Sequence, residues 1–325
     1  MNLSQQYDAD VVVVGVGAIG SATLWRLADR GVSTIGLEQF TPGHDRGSSH
    51  GDSRLFRVAC LEHPSLVTMA RRARDLWRDL ESVTGQTLLH VTGSITIGAP
   101  SSPAIQGALT AATAHNLDVE LLTSAEVAER FPQHVGIPAD HVGVLDPEAG
   151  IVRSEASILA AATAAQEAGA EVIPNAPVTG FKLVDGGVIV ETATRNFTAR
   201  QAVITAGAWL GTLVPDLPLR SRRVMQSWFL PKEPIDANFS LEGLRVFIRD
   251  NEDGTAFWGH GDSDGGGTKI GIDWDPHSRW TDPNELDRQV RPIDYQLVSE
   301  FVESRLPGLD PIPVRVTPCM VTYTP

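Results

Sequence analysis

The apolar positions change rhythm along the chain, and those changes divide it into elements. Ala9 to Val14 is an apolar run, broken only by Asp10 near its start, ending in four consecutive valines, which predicts a short strand covered on both faces, as in a parallel sheet. From Ala18 to Arg30 the spacing turns helical, with Ile19, Ala22, Leu24, Leu27 and Ala28 on one side and Gly31 placed to end the helix. Thr34 to Leu37 supplies the next strand. His63 to Thr84 predicts a long amphipathic helix, with Leu66, Met69, Ala73, Leu76, Trp77 and Leu80 on its packed side. Its other face carries Arg71, Arg72, Arg74 and Arg78, expected to lie in solvent.

After Leu88 the pattern shortens to strands up to Gly98, followed by a helix, a strand and a second helix to about Arg130, and HVGVLDPEAG adds a strand and a turn. Ser154 to Gly169 is an alanine-rich helix, Val172 falls in a short strand, and Val178 to Phe181, Gly187 to Thr192 and Ala202 to Thr205 alternate as strands. The last of these runs into the small residues of VITAGAW (Val203 to Trp209), which let backbone approach a ligand closely and return the chain to its first unit. Arg220 to Leu230, Leu244 to Arg249, Thr255 to His260 and Lys269 to Ile272 follow as strands joined by Gly/Asp turns, with Asp262 to Gly267 a hairpin loop. The fold class is therefore α/β with a second, largely antiparallel sheet.

Composition narrows the partners. The chain has 325 residues, enough for two domains, and a net charge of −14 repels nucleic acid and anionic membranes alike. No apolar run reaches the roughly 18 residues that span a bilayer, and the opening MNLSQQYDAD lacks the pattern of a signal peptide. Two cysteines, Cys60 and Cys319, are too few for a disulfide framework, so a cytoplasmic protein with a small-molecule ligand is expected. The nine histidines are dispersed, and no metal site is expected.

Two segments carry the chemistry. In VVVVGVGAIG, Gly15, Gly17 and Gly20 stand where the first strand turns into the helix, so that backbone amides, including those of Ala18 and Ile19, can meet a pyrophosphate. Glu38 ends the second strand, where a carboxylate can accept hydrogen bonds from a ribose and disfavours a 2′-phosphate. Those residues alone leave NAD and FAD open. In SSHGDSRLFR (residues 48 to 57), Arg54 and Arg57 lie three residues apart with Ser48 and His50 nearby, a loop able to hold an anionic substrate against the nucleotide.

From about Asp8 to Tyr323 the chain resembles the family of monomeric sarcosine oxidase and N-methyltryptophan oxidase. The likeness rests on the order and spacing of YDADVVVVGVGAIGSATLWRLADRG, SSHGDSRLFR, DLWRDLE, VTGSITIG, LDPEAGIVRSE, VITAGAW, TKIGID and the closing PCM. It implies a glutathione-reductase-like FAD-binding Rossmann domain (residues 1–87 and 151–218, with a stub at 318–325) and an antiparallel substrate domain (88–150 and 219–317). It further implies FAD as cofactor, bonded through Cys319 to the flavin 8α-methyl group, with Val178 and Gly207 among the residues around it. Arg54 would lie over the flavin ring, Arg57 would pair with the substrate carboxylate, and Lys269 would serve oxygen near flavin N5. Asp273 and Trp258 stand where sarcosine-type members carry histidine and tyrosine, so the resemblance does not fix sarcosine itself as the substrate.

The activity implied is oxidation of a secondary (N-methyl) or cyclic amino acid to an imine, followed by reduction of O2 to H2O2, in a protein expected to be a monomer. A flavin dehydrogenase with another electron acceptor, and an inactive flavin-binding remnant, are the alternatives. The second arises because proteins of this family run on past the terminal motif with a GxGF-type segment. That segment completes the FAD domain and supplies a lysine beside Arg57; either this sequence is one piece of the whole protein or, were it complete, an exposed apolar surface is expected where the strand would pack.

Overall fold

The computed structural model describes residues 7–233, 237–251 and 255–324; the six opening residues, part of the segment judged against a signal peptide, lie outside them. Strand β1 (Ala9–Val14), helix α1 (Ala18–Ala28) and strand β2 (Thr34–Leu37) form the expected unit. The continuous valines of β1 are explained by its two faces. Val11 and Val13 pack with Leu24, Trp25 and Ala28 of α1 and with the alanine face of helix Ser154–Glu167. Val12 and Val14 pack on the opposite side with Ile35, Leu37, Val188 and Phe197. β1 is central in a six-stranded sheet, parallel to β2 on one side and to Asn196–Ile204 on the other. The strand before VITAGAW thus lies directly beside the glycine turn, with Ile204 opposite Val14.

A nine-stranded sheet holds Ser94–Gly98, Val142–Asp146, Arg220–Phe229, Val246–Asp250, Ala256–His260 and Thr268–Ile272 among its members. Its pairings are antiparallel except Val246–Asp250 beside Ser94–Gly98. Its core mixes aliphatic side chains with aromatic ones, among them Phe229, Phe247, Phe257 and Phe301 of helix Gln296–Arg305, the rings of Phe257 and Phe301 stacking at 4.1 Å. Strand Arg315–Tyr323, whose end the sequence reading gave to the first domain, pairs instead along its whole length with Arg220–Phe229 in this second sheet. That register sets Cys319 opposite Val224. A third sheet of three strands joins β3 (Ser53–Phe56) to Gly150–Arg153 and Leu89–Val91.

Helix α2 (Leu66–Thr84) begins three residues later than the hydrophobic spacing implies, because Pro64 disfavours helical backbone at the residue before it. Its arginines are less free than expected: Arg71 and Arg74 both clasp Glu148, and Arg78 bonds Glu81 at 2.6 Å. Charges that pattern alone assigns to solvent here tie the helix to the turn at residues 146–150, where Asp146 accepts the amides of Val58 (3.1 Å) and Ala59 (2.8 Å). Among the described residues no helix is long and apolar enough to cross a membrane, and no group of three or more His, Cys, Asp or Glu side chains could hold a metal ion.

Candidate functional site

The glycine turn shows three different reasons for glycine. Gly15 has φ +90°, and a Cβ there would sit 2.6 Å from the Thr205 carbonyl oxygen; at Gly20 it would sit 1.8 Å from the Gly15 carbonyl oxygen. Both keep α1 tight against the strand ends. At Gly17 a Cβ would meet no atom of the chain within 4 Å, so the space over this residue is left for something else. The turn is fixed from below by Thr205, whose hydroxyl donates to the carbonyls of Val14 (3.0 Å) and Gly15 (2.8 Å).

A cavity of ≈470 Å³ opens here, lined by Gly15, Gly17, Ala18, Ile19, Glu38, Ser48, Val178 and Gly207, among others. Gly20 and His50 do not line it. Gly20 serves helix packing, and His50 is buried behind the wall with its Nε2 unpartnered and its pKa pushed down to about 4, by burial first and then by Arg54. Glu38 accepts the amides of Val16 (2.8 Å) and Phe40 (2.9 Å), with His44 Nε2 at 3.4 Å. Burial alone would raise its carboxyl, but those donors together hold it below the ordinary value, so it lines the cavity as a carboxylate.

A second cavity of ≈690 Å³ shares Ser48 and Gly207 with the first. Arg54, Arg57, Trp258, Lys269, Asp273 and Cys319 all line it, although they come from four separate stretches of the chain. The sheet register does much of the gathering: His260 lies opposite Lys269, and Trp258 opposite Gly271. A Cβ on Gly271 would fall 2.3 Å from the Trp258 indole, so the ring needs the bare backbone beside it.

The loop of residues 48–57 forms the wall common to both cavities. Gly51 and Asp52 have φ +95° and +69°, a conformation costly for a non-glycine residue. It is held by Glu155, whose carboxylate accepts the amides of Gly51 (2.6 Å) and Asp52 (3.0 Å). The carbonyls of Gly51 and Ser53 then accept from Lys269 Nζ at 2.6 and 2.8 Å. Lys269 is 1% exposed, and burial, with Arg54 beside it, brings its pKa down to about 7.

Arg54 donates to Ser53 O (2.7 Å), Gln226 Oε1 (3.2 Å) and Ser48 O, and lies 3.7 Å from Cys319 Sγ. Burial raises the Cys319 thiol against the pull of Arg54. Arg57 bonds Glu62 through Nη2 at 2.6 Å, while its Nη1 is buried with no partner. Asp273 is raised by burial, which outweighs the lowering effect of Arg57. Asp52, a possible partner for the loop arginines, is taken by Arg315.

The arrangement thus offers an unfilled guanidinium donor, a buried amine near its neutral point, a carboxyl held toward its neutral form and a thiol beside an arginine, around one space. Sequence reasoning passed over Ser53, Thr205, Gln226, Glu155 and His260. Ser53, Thr205 and Glu155 lie inside segments singled out for other residues; Gln226 and His260 have only their strand alternation to mark them.

A family model described as FAD dependent oxidoreductase matches residues 10–325. Monomeric sarcosine oxidase of Streptomyces avermitilis is 32% identical over 318 residues, covering 97% of this chain and 82% of that protein. N-methyl-L-tryptophan oxidase of Yersinia pestis is 33% identical over 221 residues, 68% of this chain and 59% of that protein. Among solved structures, the open form of NikD, an unusual amino acid oxidase essential for nikkomycin biosynthesis, superposes with a TM-score of 0.84 at 25% identity, covering 97% of this chain and 82% of that one. Glycine oxidase from Geobacillus kaustophilus shares the fold, with a TM-score of 0.77 at 22% identity over 98% of this chain and 84% of its own.

Proposed function

Because the chain belongs to the family of FAD-dependent oxidoreductases, we propose that its two joined cavities hold FAD and an amino-acid substrate, and that it oxidises the CH–NH bond of a secondary or cyclic amino acid. The residues present fit the cofactor: the open space over Gly17 admits a diphosphate to the α1 N-terminus, Glu38 faces the cavity as a carboxylate acceptor, and the neck at Ser48 and Gly207 leads on to the cavity of Arg54 and Cys319. Bound FAD supplies a hydride acceptor and afterwards returns two electrons to O2, which with two protons becomes H2O2.

The chain's own groups do the rest. The unpartnered Nη1 of Arg57 takes the substrate carboxylate. Asp273 accepts or shares a hydrogen bond with the amine side, and Trp258 shapes the wall that sets how large the substituent is. Lys269, as an ammonium, stabilises negative charge developing on oxygen. The cyclic or N-methyl imine leaves, and water hydrolyses it if it is open-chain. Cys319 tethers the cofactor covalently in this reading, with the arginine at 3.7 Å offsetting part of the burial that raises its thiol. The protein works as a single chain.

The observation that carries this is the convergence of Arg54, Arg57, Lys269, Asp273, Trp258 and Cys319 on one cavity that opens onto the glycine turn. Purified FAD-loaded protein should bleach on anaerobic addition of an N-methyl or cyclic amino acid and recover its colour with air, with one peroxide formed per turnover. Bleaching without recovery in air assigns a dehydrogenase with another acceptor. No bleaching by any member of the panel refutes the amine-oxidising reading.

A further inference from the structure

We propose that His260, acting through the hydroxyl of Ser53, is a positioning residue that keeps Lys269 protonated for the oxygen step; this rests on the reading of Lys269 given above. Three contacts define the chain of bonds. His260 Nδ1 lies 2.7 Å from the Gly261 carbonyl, His260 Nε2 lies 2.6 Å from Ser53 Oγ, and Ser53 Oγ lies 3.4 Å from Lys269 Nζ. A carbonyl can only accept, so the ring proton of His260 resides on Nδ1. The ring is buried at 2% exposure, and burial holds its pKa down to about 4, so Nε2 carries no proton near neutrality. Ser53 therefore has to donate its hydroxyl hydrogen to Nε2, and its oxygen is left to face Lys269 as an acceptor only.

The direction of that one hydroxyl matters because of how finely Lys269 is poised. Two carbonyls favour its ammonium form, while burial and Arg54 oppose it, leaving the midpoint at about 7. The groups around it are Arg54 on β3, Asp52 on the loop, Glu155 on helix Ser154–Glu167, Cys319 on Arg315–Tyr323, the Trp228 ring at 5.3 Å on Arg220–Phe229 and neutral His260 on the adjacent strand. Without His260, the Ser53 hydrogen is free to turn toward Nζ, where it would stabilise the neutral amine instead. Removing a neutral ring takes no charge from beside Lys269, and a variant that keeps a hydrogen-bond acceptor at 260 separates the effect of the hydroxyl from that of altered burial, the largest influence on its midpoint.

The sequence provides a clean probe, since Lys182 and Lys232 are the only other lysines and both are exposed. Carbon-13-labelled lysine read by NMR in the intact protein should give a Lys269 midpoint near 7 in the parent. The midpoint should fall by about one pH unit in His260→Leu and in Ser53→Ala, and return to the parent value in His260→Gln, whose amide oxygen restores an acceptor for Ser53. Reoxidation of the reduced, FAD-loaded protein by O2 at pH 7 should slow about fivefold in His260→Leu and recover in His260→Gln. An unmoved midpoint in His260→Leu, or a His260→Gln midpoint that falls as far as the leucine variant's, overturns the proposal. Lys269→Met tests the underlying reading separately: if it reoxidises at the parent rate, the role of Lys269 with oxygen is wrong, whatever the NMR midpoints show.

Discussion

Gly17→Ala and Gly20→Ala differ by one methyl group each, three residues apart, and should fail in opposite ways. At Gly20 the added Cβ would lie 1.8 Å from the Gly15 carbonyl oxygen and 2.7 Å from Thr205 Oγ1. Reaching the 3.0 Å that real contacts allow means opening the turn by more than ~1 Å, an overpacking cost of about 1 to 3 kcal/mol, against which alanine returns roughly 0.5 to 1 kcal/mol in helix propensity. The apoprotein should lose net stability and flavin together. At Gly17 the new Cβ meets nothing within 4 Å and φ is an ordinary −79°, so stability should change by no more than about 1 kcal/mol, from the weaker N-cap. The methyl instead occupies the space over the amides that would meet the diphosphate, and losing one charge-assisted hydrogen bond of about 1.5 to 3 kcal/mol weakens FAD roughly 10- to 100-fold. Both changes would be made in a Cys319→Ser background so that binding stays reversible, and read by urea unfolding of the apoprotein and quenching of flavin fluorescence. A Gly17→Ala protein that binds FAD with parent affinity would show that the dinucleotide does not cross this turn.

Arg57→Ala should raise KM for carboxylate substrates about 30-fold, the equivalent of roughly 2 kcal/mol for one lost partner; an unchanged KM would return Arg57 to a structural pair with Glu62. Cys319→Ser should release its flavin to the supernatant on acid precipitation while the parent retains colour in the pellet, and colour released equally from both would remove the covalent tether. His134, buried against Phe247 with neither ring nitrogen partnered, has its pKa pushed down to about 3 by burial and then by Arg249. It stays neutral when folded but takes a proton near 6.5 when unfolded, so stability present above that pH is lost as pH falls toward 3, about 2 kcal/mol of it by pH 5. His134→Leu should reduce the loss in urea unfolding between pH 7.5 and pH 5 by that amount; an unaltered difference would refute the assignment.

What could be read from the chain was local. β1, the glycine turn, α1 and β2 announce themselves because strand, turn and helix follow one another within thirty residues, and each rhythm is set by nearest neighbours. Arg54, Arg57 and Lys269, which line one cavity, were singled out through motifs. The support beneath them was not, because it depends on register: Ser53 and His260 are 207 residues apart, and Glu155 grips amides 103 and 104 residues away. No spacing in the sequence encodes which strand lies beside which. The same limit explains Glu148, whose two arginine partners read as a solvated stripe until the turn at 146–150 is folded onto α2, and the last strand, whose nine pairs to Arg220–Phe229 place Cys319 where only topology could put it.

The shared wall of residues 48–57 has a consequence for how this scaffold can be retuned. On the proposed reading a change there would be felt by nucleotide, lysine and substrate at once, so selectivity for one amine over another would be adjustable chiefly from the facing side of the cavity, at Trp258 and Asp273. Altering those two positions should redraw the list of accepted amines and leave cofactor loading as it was.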